Sequence, residues 1–306
     1  MKYNNILFIL TLLCCSVCLT TSYAQQDTQF TQYMYNTETI NPAYAGSRGS
    51  LEFTSLYRNQ WVGLEGAPET INFTGNAPLG ERVGLGLTFT KDEIGPAEES
   101  TIAVDFSYTL PVNNSFNFSF GIKGGINLLN VDYTLLNIDP DNVFQFNVDN
   151  RLTPIIGLGA YAYSNKWYMG LSVPSVLETT HYDDSTISNA TEKPTLYAIG
   201  GYVFDLSDNI KFKPAVLGKF TSNASAAIDI SANFLFHEKF TMGVAYRYDA
   251  AVSALAGFQI SEQILIGYAY DYSVSGLGNY SSGSHEIFLR FEVFKSPSRA
   301  ISPRFF

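Results

Sequence analysis

The chain has 306 residues, of which 46% are hydrophobic, 15% aromatic and 15% charged, and its net charge is −10 at pH 7. A soluble domain usually carries about 25% charged residues, so this chain is poor in charge and rich in aromatic rings. The apolar content excludes a disordered chain, and the acidic balance excludes a nucleic-acid binder that works through a basic surface.

The first predicted element is a secretory signal peptide over residues 1–24. Met1-Lys2 gives a positive start, and an apolar run and a small-x-small cleavage site ending at Ala24 follow. A membrane anchor and a lipoprotein signal are the alternatives. The run is short for a membrane span, and no small residue directly precedes Cys14, Cys15 or Cys18. We therefore expect a mature chain that begins at Gln25 and contains no cysteine.

From residue 49 onward the dominant signal is an alternation with period two, which is typical of strands with one apolar and one polar face. Most of the predicted strands are about 8–12 residues long, close to the roughly 9–11 residues that a tilted strand needs to cross a bilayer. We predict fourteen strands, at 49–58, 69–78, 82–91, 100–110, 115–130, 155–163, 166–173, 195–205, 209–219, 226–236, 239–248, 251–260, 263–274 and 284–294.

The predicted connections alternate in length. Those after the even-numbered strands are short, and those after the odd-numbered strands are longer, including 92–99, 131–154 and 174–194. Only the connection 249–250 breaks the alternation. Outer-membrane barrels have an even strand number, short periplasmic turns and longer outer loops. The sequence therefore predicts an all-β fold, a transmembrane antiparallel β-barrel over 49–294 in the outer membrane, with both termini periplasmic.

The charged residues of the strands fall on the polar phase, which faces the lumen of such a barrel. A charge on the lipid face near the midplane costs about 2–4 kcal/mol, so this avoidance is expected. The lumen charges are predicted to be Glu52, Arg58, Arg82, Asp105, Lys123, Lys211, Lys213, Asp229, Arg247, Asp271, Glu286, Arg290 and Glu292. Rings that form aromatic girdles, or else pack within the sheet, are Tyr57, Tyr108, Phe116, Trp167, Tyr202, Tyr246, Tyr270 and Phe291.

The sequence offers little for catalysis, and we expect no catalytic residue, no cofactor and no metal site. The three histidines, His181, His237 and His285, lie far apart, without metal-ligand spacing or a Ser-His-acid set. Calcium binding by loop carboxylates lacks a spaced motif and is the weaker interpretation of Asp139, Asp141, Asp149, Asp183 and Asp184. Glycine pairs inside strands, Gly84-x-Gly86 and Gly157-x-Gly159, indicate packing or bulges and not a phosphate cradle.

Three motifs near the start of the mature chain are more specific. They read Gln-Tyr-Met-Tyr-Asn at 32–36, Asn-Pro-Ala-Tyr-Ala-Gly at 41–46, and Leu-Tyr-Arg-Asn-Gln-Trp-Val-Gly-Leu-Glu-Gly-Ala-Pro at 56–68. In this order and spacing they resemble the opening of the PorP/SprF family of type IX secretion system membrane proteins of Bacteroidota. Tyr35 replaces the usual Phe of that family. The segment 283–287 also resembles its last strand, so the resemblance covers essentially the whole mature chain.

The resemblance implies an interaction protein. Members of the family are outer-membrane barrels required for secretion or surface display of cargo with a type IX C-terminal signal. Some work with periplasmic components of the core machine, and others serve a cognate cargo such as a gliding adhesin. The expected partners are therefore type IX components, a cargo protein and outer-membrane lipid, with no nucleic acid. Family members commonly end soon after the last strand, whereas this chain continues through a tail at 295–306. We favour Phe291 to Phe294 over Phe305-Phe306 as the barrel-assembly signal.

The residues of these motifs also have physical roles to predict. The segment 25–48 either folds into the lumen as a plug or docks a periplasmic partner, since Asn41-Pro42 favours an extended or turn conformation and Gly46 allows a sharp turn. Arg58 and Trp61, at the outer end of the first strand, either anchor another protein or seal the barrel interior. The candidate residues for partner binding or for the plug are Gln32, Tyr33, Asn41, Pro42, Tyr44, Gly46, Arg58, Gln60, Trp61 and Gly63.

Two other functions compete with secretion. One is a diffusion channel of the fatty-acid-channel type, although six acidic and seven basic predicted lumen charges give no clear ion selectivity and suggest an interior crosslinked by ion pairs. The other, more distant, is a phospholipase-like barrel enzyme, which the scattered histidines do not support.

Overall fold

The computed structural model describes residues 29–113, 115–135, 147–180, 191–222 and 224–293. Fourteen antiparallel strands each pair with the next along the chain, and the last pairs with the first, so the predicted closed barrel is confirmed. The predicted signal peptide 1–24 and tail 295–306 lie outside the described residues.

The strands are β1 (Leu51–Asn59), β2 (Glu69–Leu79), β3 (Val83–Ile94), β4 (Ala97–Pro111), β5 (Asn117–Val131), β6 (Val148–Tyr163), β7 (Trp167–Val173), β8 (Thr195–Tyr202 and Phe204–Ser207), β9 (Ile210–Thr221), β10 (Ala227–Phe236), β11 (Phe240–Arg247), β12 (Ala251–Gln259), β13 (Ile264–Ser273) and β14 (Ser284–Val293).

The two ends of the barrel differ in their connections. At the turn end, where β1 begins and β14 ends, the links are 80–82, 112–116, 164–166, 208–209, 237–239 and 260–263. At the opposite loop end the links are 60–68, 95–96, 132–147, 174–194, 222–226, 248–250 and 274–283. The predicted alternation therefore holds, including its predicted break after β11, and fails only after β3. The prediction for the two chain termini concerns residues outside the described part.

The predicted loop 92–99 is wrong, because β3 and β4 continue through it. They are joined by the two-residue turn Gly95-Pro96, in which the glycine takes the left-handed φ of 56°. Four acidic residues made this stretch look like a loop, yet they pair across the hairpin, Asp92 with Glu99 and Glu93 with Glu98. Lys91 bridges the second pair at 2.7 and 3.1 Å, which offsets the repulsion on that face.

A proline explains the one interruption within a strand of the barrel wall. The two segments of β8 share one register with β9, with Gly201 opposite Ala215 and Phe204 opposite Phe212. That register sets Tyr202 opposite Pro214, which has no N–H to complete a ladder pair. The described part of β6 also starts at Val148, earlier than the predicted residue 155.

The strands present a polar face to the lumen and an apolar face outward, as the alternation predicts. Ten of the thirteen predicted lumen charges are buried. Lys211 and Arg247 keep the lumen phase and pair with Asp205 and Asp229. The prediction for Arg82 is wrong, because it lies exposed in the turn before β3, next to Tyr108.

Aromatic side chains collect on the outer face near both ends. Tyr57, Tyr108, Tyr202, Tyr246 and Phe291 of the predicted girdle are exposed there. At the turn end a row of neighbouring rings crosses β8 to β11, with centroids 4.6 to 6.4 Å apart, and its members are Tyr202, Phe204, Phe212, Phe234, Phe236 and Phe240. Such rings are typical of the level of the lipid headgroups.

Helical structure in the described ranges is limited to short 3-10 turns. Two of them, Thr37–Thr39 and Pro42–Tyr44, precede β1, and the others are Tyr133–Leu135 and Gly276–Asn279. Among the described residues, none of these helices has the length and apolar character needed to span a bilayer.

The closed ladder predicts that the purified protein is heat-modifiable. A barrel without a free strand edge should stay folded in detergent until it is boiled. Gel migration before and after boiling is the measurement, with circular dichroism as a check on strand content. Identical migration together with a helical spectrum would contradict this fold.

Candidate functional site

The lumen is occupied by residues 29–48, which we call the lumen segment. Every residue from Phe30 to Ala45 except Thr39 is buried. The segment starts near the loop end, where the Gln29 amide donates to Asp229 at 2.7 Å. It finishes at the turn end, where Arg48 pairs with Glu52 at 2.6 Å just before β1 begins. The chain therefore passes through the lumen before it forms the wall.

An ionic cluster holds the start of the segment. The Arg58 guanidinium lies between the carboxylates of Asp271 and Glu286, at 2.7 and 3.0 Å, and also donates to the Thr31 hydroxyl. Glu286 accepts the backbone N–H groups of Thr31 and Gln32 at 2.9 and 2.8 Å. We call these residues the Arg58 cluster. Its wall carboxylate Glu286 satisfies the two backbone N–H groups at the start of the turn 31–35, and buried N–H groups require such a partner.

Aromatic side chains follow directly in the segment. Tyr35 stacks on Phe288 of β14 at 4.8 Å between ring centroids, and its carbonyl accepts from Arg290 at 2.8 Å. Tyr33 and Met34 belong to the same apolar cluster. Several lumen-facing wall residues of β10 to β13 are small, namely Ser231, Ala245, Ser253 and Ala269, whereas Leu255 and Leu265 pack in the same apolar cluster as the rings. The wall therefore leaves room for the rings.

The second half of the segment rests on glycines of the wall. A methyl group on Gly121 would overlap the backbone of Pro42 and Ala43, and one on Gly84 would overlap the Ala45 carbonyl. The other contacts are of the same kind, between Gly86 and Glu38 and between both Gly159 and Gly170 and Asn41. We call these five wall glycines, from β3, β5, β6 and β7, the glycine bed. Only residues without a side chain permit so close an approach.

Hydrogen bonds fix the position of the segment on the glycine bed. Asn41 accepts from the Ala43 N–H at 3.0 Å, which caps the turn Pro42–Tyr44, and donates to the Ala160 carbonyl at 3.1 Å. Ser172 and Ser107 donate to the carbonyls of Ile40 and Ala45 at 2.6 and 2.7 Å. The Asn-Pro-Ala-Tyr motif is therefore a tightly bonded turn inside the barrel.

Gly46 ends this turn and redirects the chain toward β1. It has a φ of 70° and its N–H donates to Asn76 at 3.2 Å. Its backbone lies so close to Gly84 that a side chain would not fit. The predicted sharp turn at Gly46 is therefore present, for reasons of both conformation and space.

Buried charges beneath the segment form a second network near the turn end. Glu52 pairs with Arg48 and, at 3.4 Å, with Arg290, while Arg48 also pairs with Glu292. Farther round the wall, Asn76 donates to Glu38 at 2.7 Å. Buried charges are costly unless they are paired, so these contacts make the segment part of the barrel's internal crosslinking.

A cavity of about 170 Å³ remains beside the segment. Thr39, Ile40 and Phe30 form its inner side, and wall residues of β3 to β6 and β8, with both ends of connection 174–194, form the rest. The segment therefore leaves free space on the side lined by these strands.

The connection 60–68 lies at the loop end and is bonded to the start of β14. Trp61 takes a φ of 47° and its N–H donates to Ser284, while Val62 and Gly283 join their backbones at 2.9 Å. Trp61 is half-buried and Gly63 is exposed. The connection 60–68 is therefore held against the start of β14, and it follows Arg58 directly in the sequence.

The structure separates the predicted candidate residues into two groups. Gln32, Tyr33, Asn41, Pro42, Tyr44, Gly46 and Arg58 lie together in the lumen, and Gln60, Trp61 and Gly63 lie in the connection at the loop end. Arg58 is only 2% exposed and lies inside the barrel. An arginine on the lumen phase of a strand already pointed to this.

Sequence reasoning missed the partners of the lumen segment. Asp271 and Glu286 were recognised as lumen charges, but nothing in the sequence connected them with Thr31. The glycines Gly84, Gly86 and Gly159 indicate packing or bulges in the sequence, and the structure shows that they pack against the lumen segment. Their position on the lumen phase was the available signal, because a glycine there indicates that another backbone comes close.

The predicted alternatives involving histidine and calcium gain no further support. His285 lies on the outer face beside Tyr268, at 2.6 Å, and His237 lies in a turn, while His181 is outside the described residues. Of the five loop aspartates, only Asp149 is described. Within the described ranges no three His, Cys, Asp or Glu residues are arranged to hold a metal ion.

Comparisons with known proteins bear on both fold and family. The model of a family described as type IX secretion system membrane protein PorP/SprF matches residues 22–291. None of the curated proteins matches. Among solved structures, the CymD monoaromatic hydrocarbon channel has a TM-score of 0.51 at 11% identity, over 89% of this chain and 94% of that one. Omp33 of Acinetobacter baumannii has a TM-score of 0.49 at 11% identity, over 80% of this chain and 100% of that one. At such identities the likeness shows the fold alone.

Proposed function

Because the chain belongs to the PorP/SprF family of type IX secretion system membrane proteins, we propose that it is a non-enzymatic outer-membrane barrel that supports secretion or surface anchoring of one cognate, adhesin-like cargo protein. The observation that carries the proposal is that the three sequence motifs typical of the family form the lumen segment and its main contact. The first two form the lumen segment, and the third supplies Arg58, which holds it. The residues that mark the family therefore build an occupied barrel.

An occupied lumen favours an interaction protein over an open diffusion channel. The lumen segment acts in this proposal as a resident plug, which keeps the barrel closed while partners bind at its ends. The segment contacts two parts of the barrel wall, through the Arg58 cluster and through the glycine bed, and these contacts support that role. The diffusion-channel alternative would have to explain a wall fitted so closely to its contents.

The orientation follows the general rule for such barrels. With short turns in the periplasm and longer connections outside, the turn end faces the periplasmic components of the secretion machine and the loop end faces the cargo. Gln60, Trp61 and Gly63 then lie at the cell surface. A half-buried indole on a rigid connection is a suitable anchor for a protein partner, because aromatic anchors carry much of the energy of interfaces.

Deleting this protein should remove one secreted or surface-displayed cargo and leave other outer-membrane proteins unchanged. Comparison of surface proteomes is the measurement. Within the same strain, Trp61→Ala should reduce cargo display severalfold, since an interface anchor is often worth more than about 1 kcal/mol. The matched control is Tyr280→Ala, an aromatic at the same end that is 74% exposed, which should retain display.

Two outcomes would contradict parts of this proposal. An unchanged surface proteome after deletion would overturn the assignment to secretion. If display is lost in the deletion but is normal in Trp61→Ala, the connection 60–68 is not the cargo anchor, although the secretion function stands.

A further inference from the structure

The two halves of the lumen segment are held by different kinds of contact. Residues 36–48 lie against the glycine bed, and hydrogen bonds of Asn41 with the Ala160 carbonyl and of Ser107 and Ser172 with segment carbonyls fix the turn. Residues 29–35, which we call the gate, have none of the five bed glycines beneath them. They are held by side chains, through Asp229, the Arg58 cluster and Arg290. The half after the gate is therefore fixed by close contact with the wall backbone, whereas the gate is held by polar contacts of side chains and by the burial of its own rings.

The wall behind the gate would be mostly hydrophilic if the gate moved. The lumen-facing side chains of β10 to β13 include Ser231, Asn233, Thr241, Ala245, Ser253, Ala269, Asp271 and Ser273, together with Leu255 and Leu265. Most of them are small and polar, and two are leucines. Removal of three rings and a methionine from this side would leave a passage with hydroxyl and carboxylate groups on its wall. Water-filled barrels have lumens of this composition.

We propose that this barrel has a second activity as a gated pore for ions and small polar solutes, in which residues 29–35 are the gate and the Arg58 cluster is the latch. This activity does not depend on the secretion function. The gate swings about the fixed turn that starts at Thr37, and the remaining half of the lumen segment stays on the glycine bed.

The closed state dominates in the wild-type protein. Opening must break the hydrogen bonds of Thr31 and Gln32 to Glu286 and of Thr31 to Asp271, at 2.6 to 2.9 Å. It must also expose Phe30, Tyr33, Met34 and Tyr35, each of which is now less than a tenth exposed. We therefore expect brief, rare increases in conductance when the wild-type protein is placed in a planar bilayer.

A reversible crosslink tests the gate. The Thr31 hydroxyl and the Asp271 carboxylate are 2.6 Å apart, so Thr31→Cys with Asp271→Cys replaces the latch contact by a pair of thiols. The natural cysteines lie in the predicted signal peptide, which leaves this pair alone in the mature chain. In planar bilayers the reduced form should open more often than wild type, by roughly tenfold or more, because lost charge-assisted hydrogen bonds change an equilibrium by about that factor. Oxidation should silence the same channels.

The matched control is Thr74→Val, which removes a hydroxyl contact to Asn36 at 3.1 Å in the fixed half and leaves every wall charge in place. Its openings should be as rare as those of the wild-type protein. If the gate pair conducts equally when oxidised and reduced, the gate does not exist. If Thr74→Val opens as often as the reduced gate pair, the whole segment moves as one body and the proposed two-part gate is wrong.

A milder variant covers the case in which the double variant fails to assemble. Thr31→Val removes the hydroxyl contacts to Asp271 and Arg58 and leaves every wall charge in place. It should raise the frequency of openings severalfold, whereas a silent Thr31→Val channel would overturn the proposal. Normal cargo display in these variants would leave the secretion proposal intact, so the two can fail separately.

Discussion

Arg58→Ala should destabilise the barrel by about 3–5 kcal/mol, the usual cost when one partner of a buried ion pair is removed. The arginine is 2% exposed and lies between Asp271 and Glu286, which would then face each other without a counter-ion. The loss should appear as a lower temperature for conversion of the folded gel form and as a lower midpoint in urea. Thr31 would also lose a donor, so the lumen segment should loosen.

The control for this change is Lys91→Ala, which removes another basic residue that contacts two carboxylates. Lys91 lies at the loop end with its side chain 33% exposed, and it pairs with Glu93 and Glu98. Exposed pairs contribute about 0–1 kcal/mol, so its melting should hardly change. Equal effects of the two variants would mean that the Arg58 cluster is solvated and not a structural centre.

Gly121→Ala should displace the lumen segment while the barrel still assembles. The added methyl group would overlap the backbone of Pro42 and Ala43, and a backbone bonded on both sides cannot move aside locally. Overpacking of this kind typically costs about 1–3 kcal/mol. We expect the lumen segment to lose contacts with the wall, while the hydrogen bonds between the strands stay intact. Protease cleavage of the N-terminal segment and a steady conductance are the expected observations.

Gly124→Ala is the control on the same strand. A methyl group there meets no atom within 4 Å. Both variants should have the same strand content, and only Gly121→Ala should become leaky and cleavable. A tight, protease-resistant Gly121→Ala barrel would show that the segment does not rest on this glycine.

The wall of the barrel could be predicted from the sequence because burial on one face leaves a trace in every strand. Side chains alternate between two environments, so strands such as β10 and β13 were located to within a residue or two. The prediction failed at 92–99 because four carboxylates there mimic a loop, although charged residues are tolerated where a hairpin reaches beyond the apolar band. A pattern of hydrophobicity reports the environment of a residue and not its pairing.

The contents of the lumen could not be predicted in the same way. The lumen segment is buried on all sides by polar and aromatic groups, so it has no periodic face, and its contacts join residues more than 200 positions apart, as between Thr31 and Glu286. Both a plug and a docking segment were consistent with Asn41-Pro42 and Gly46. Two roles also remained open for Arg58, because it lies on the lumen phase of its strand and yet at the outer end of that strand.

The seam between β1 and β14 has a consequence for assembly of the protein. These strands are the first and the last to be synthesised, and their pairing closes the cylinder. The residues that meet across it on the inside, Arg58 with Glu286 and Glu52 with Arg290, are also those that hold the segment preceding β1. Twenty residues threaded through a finished cylinder would have to pass side chains larger than the remaining space. The strands must therefore wrap around the segment. The pairing of β1 with β14 should form last, when the lumen segment already lies against the residues that line this seam.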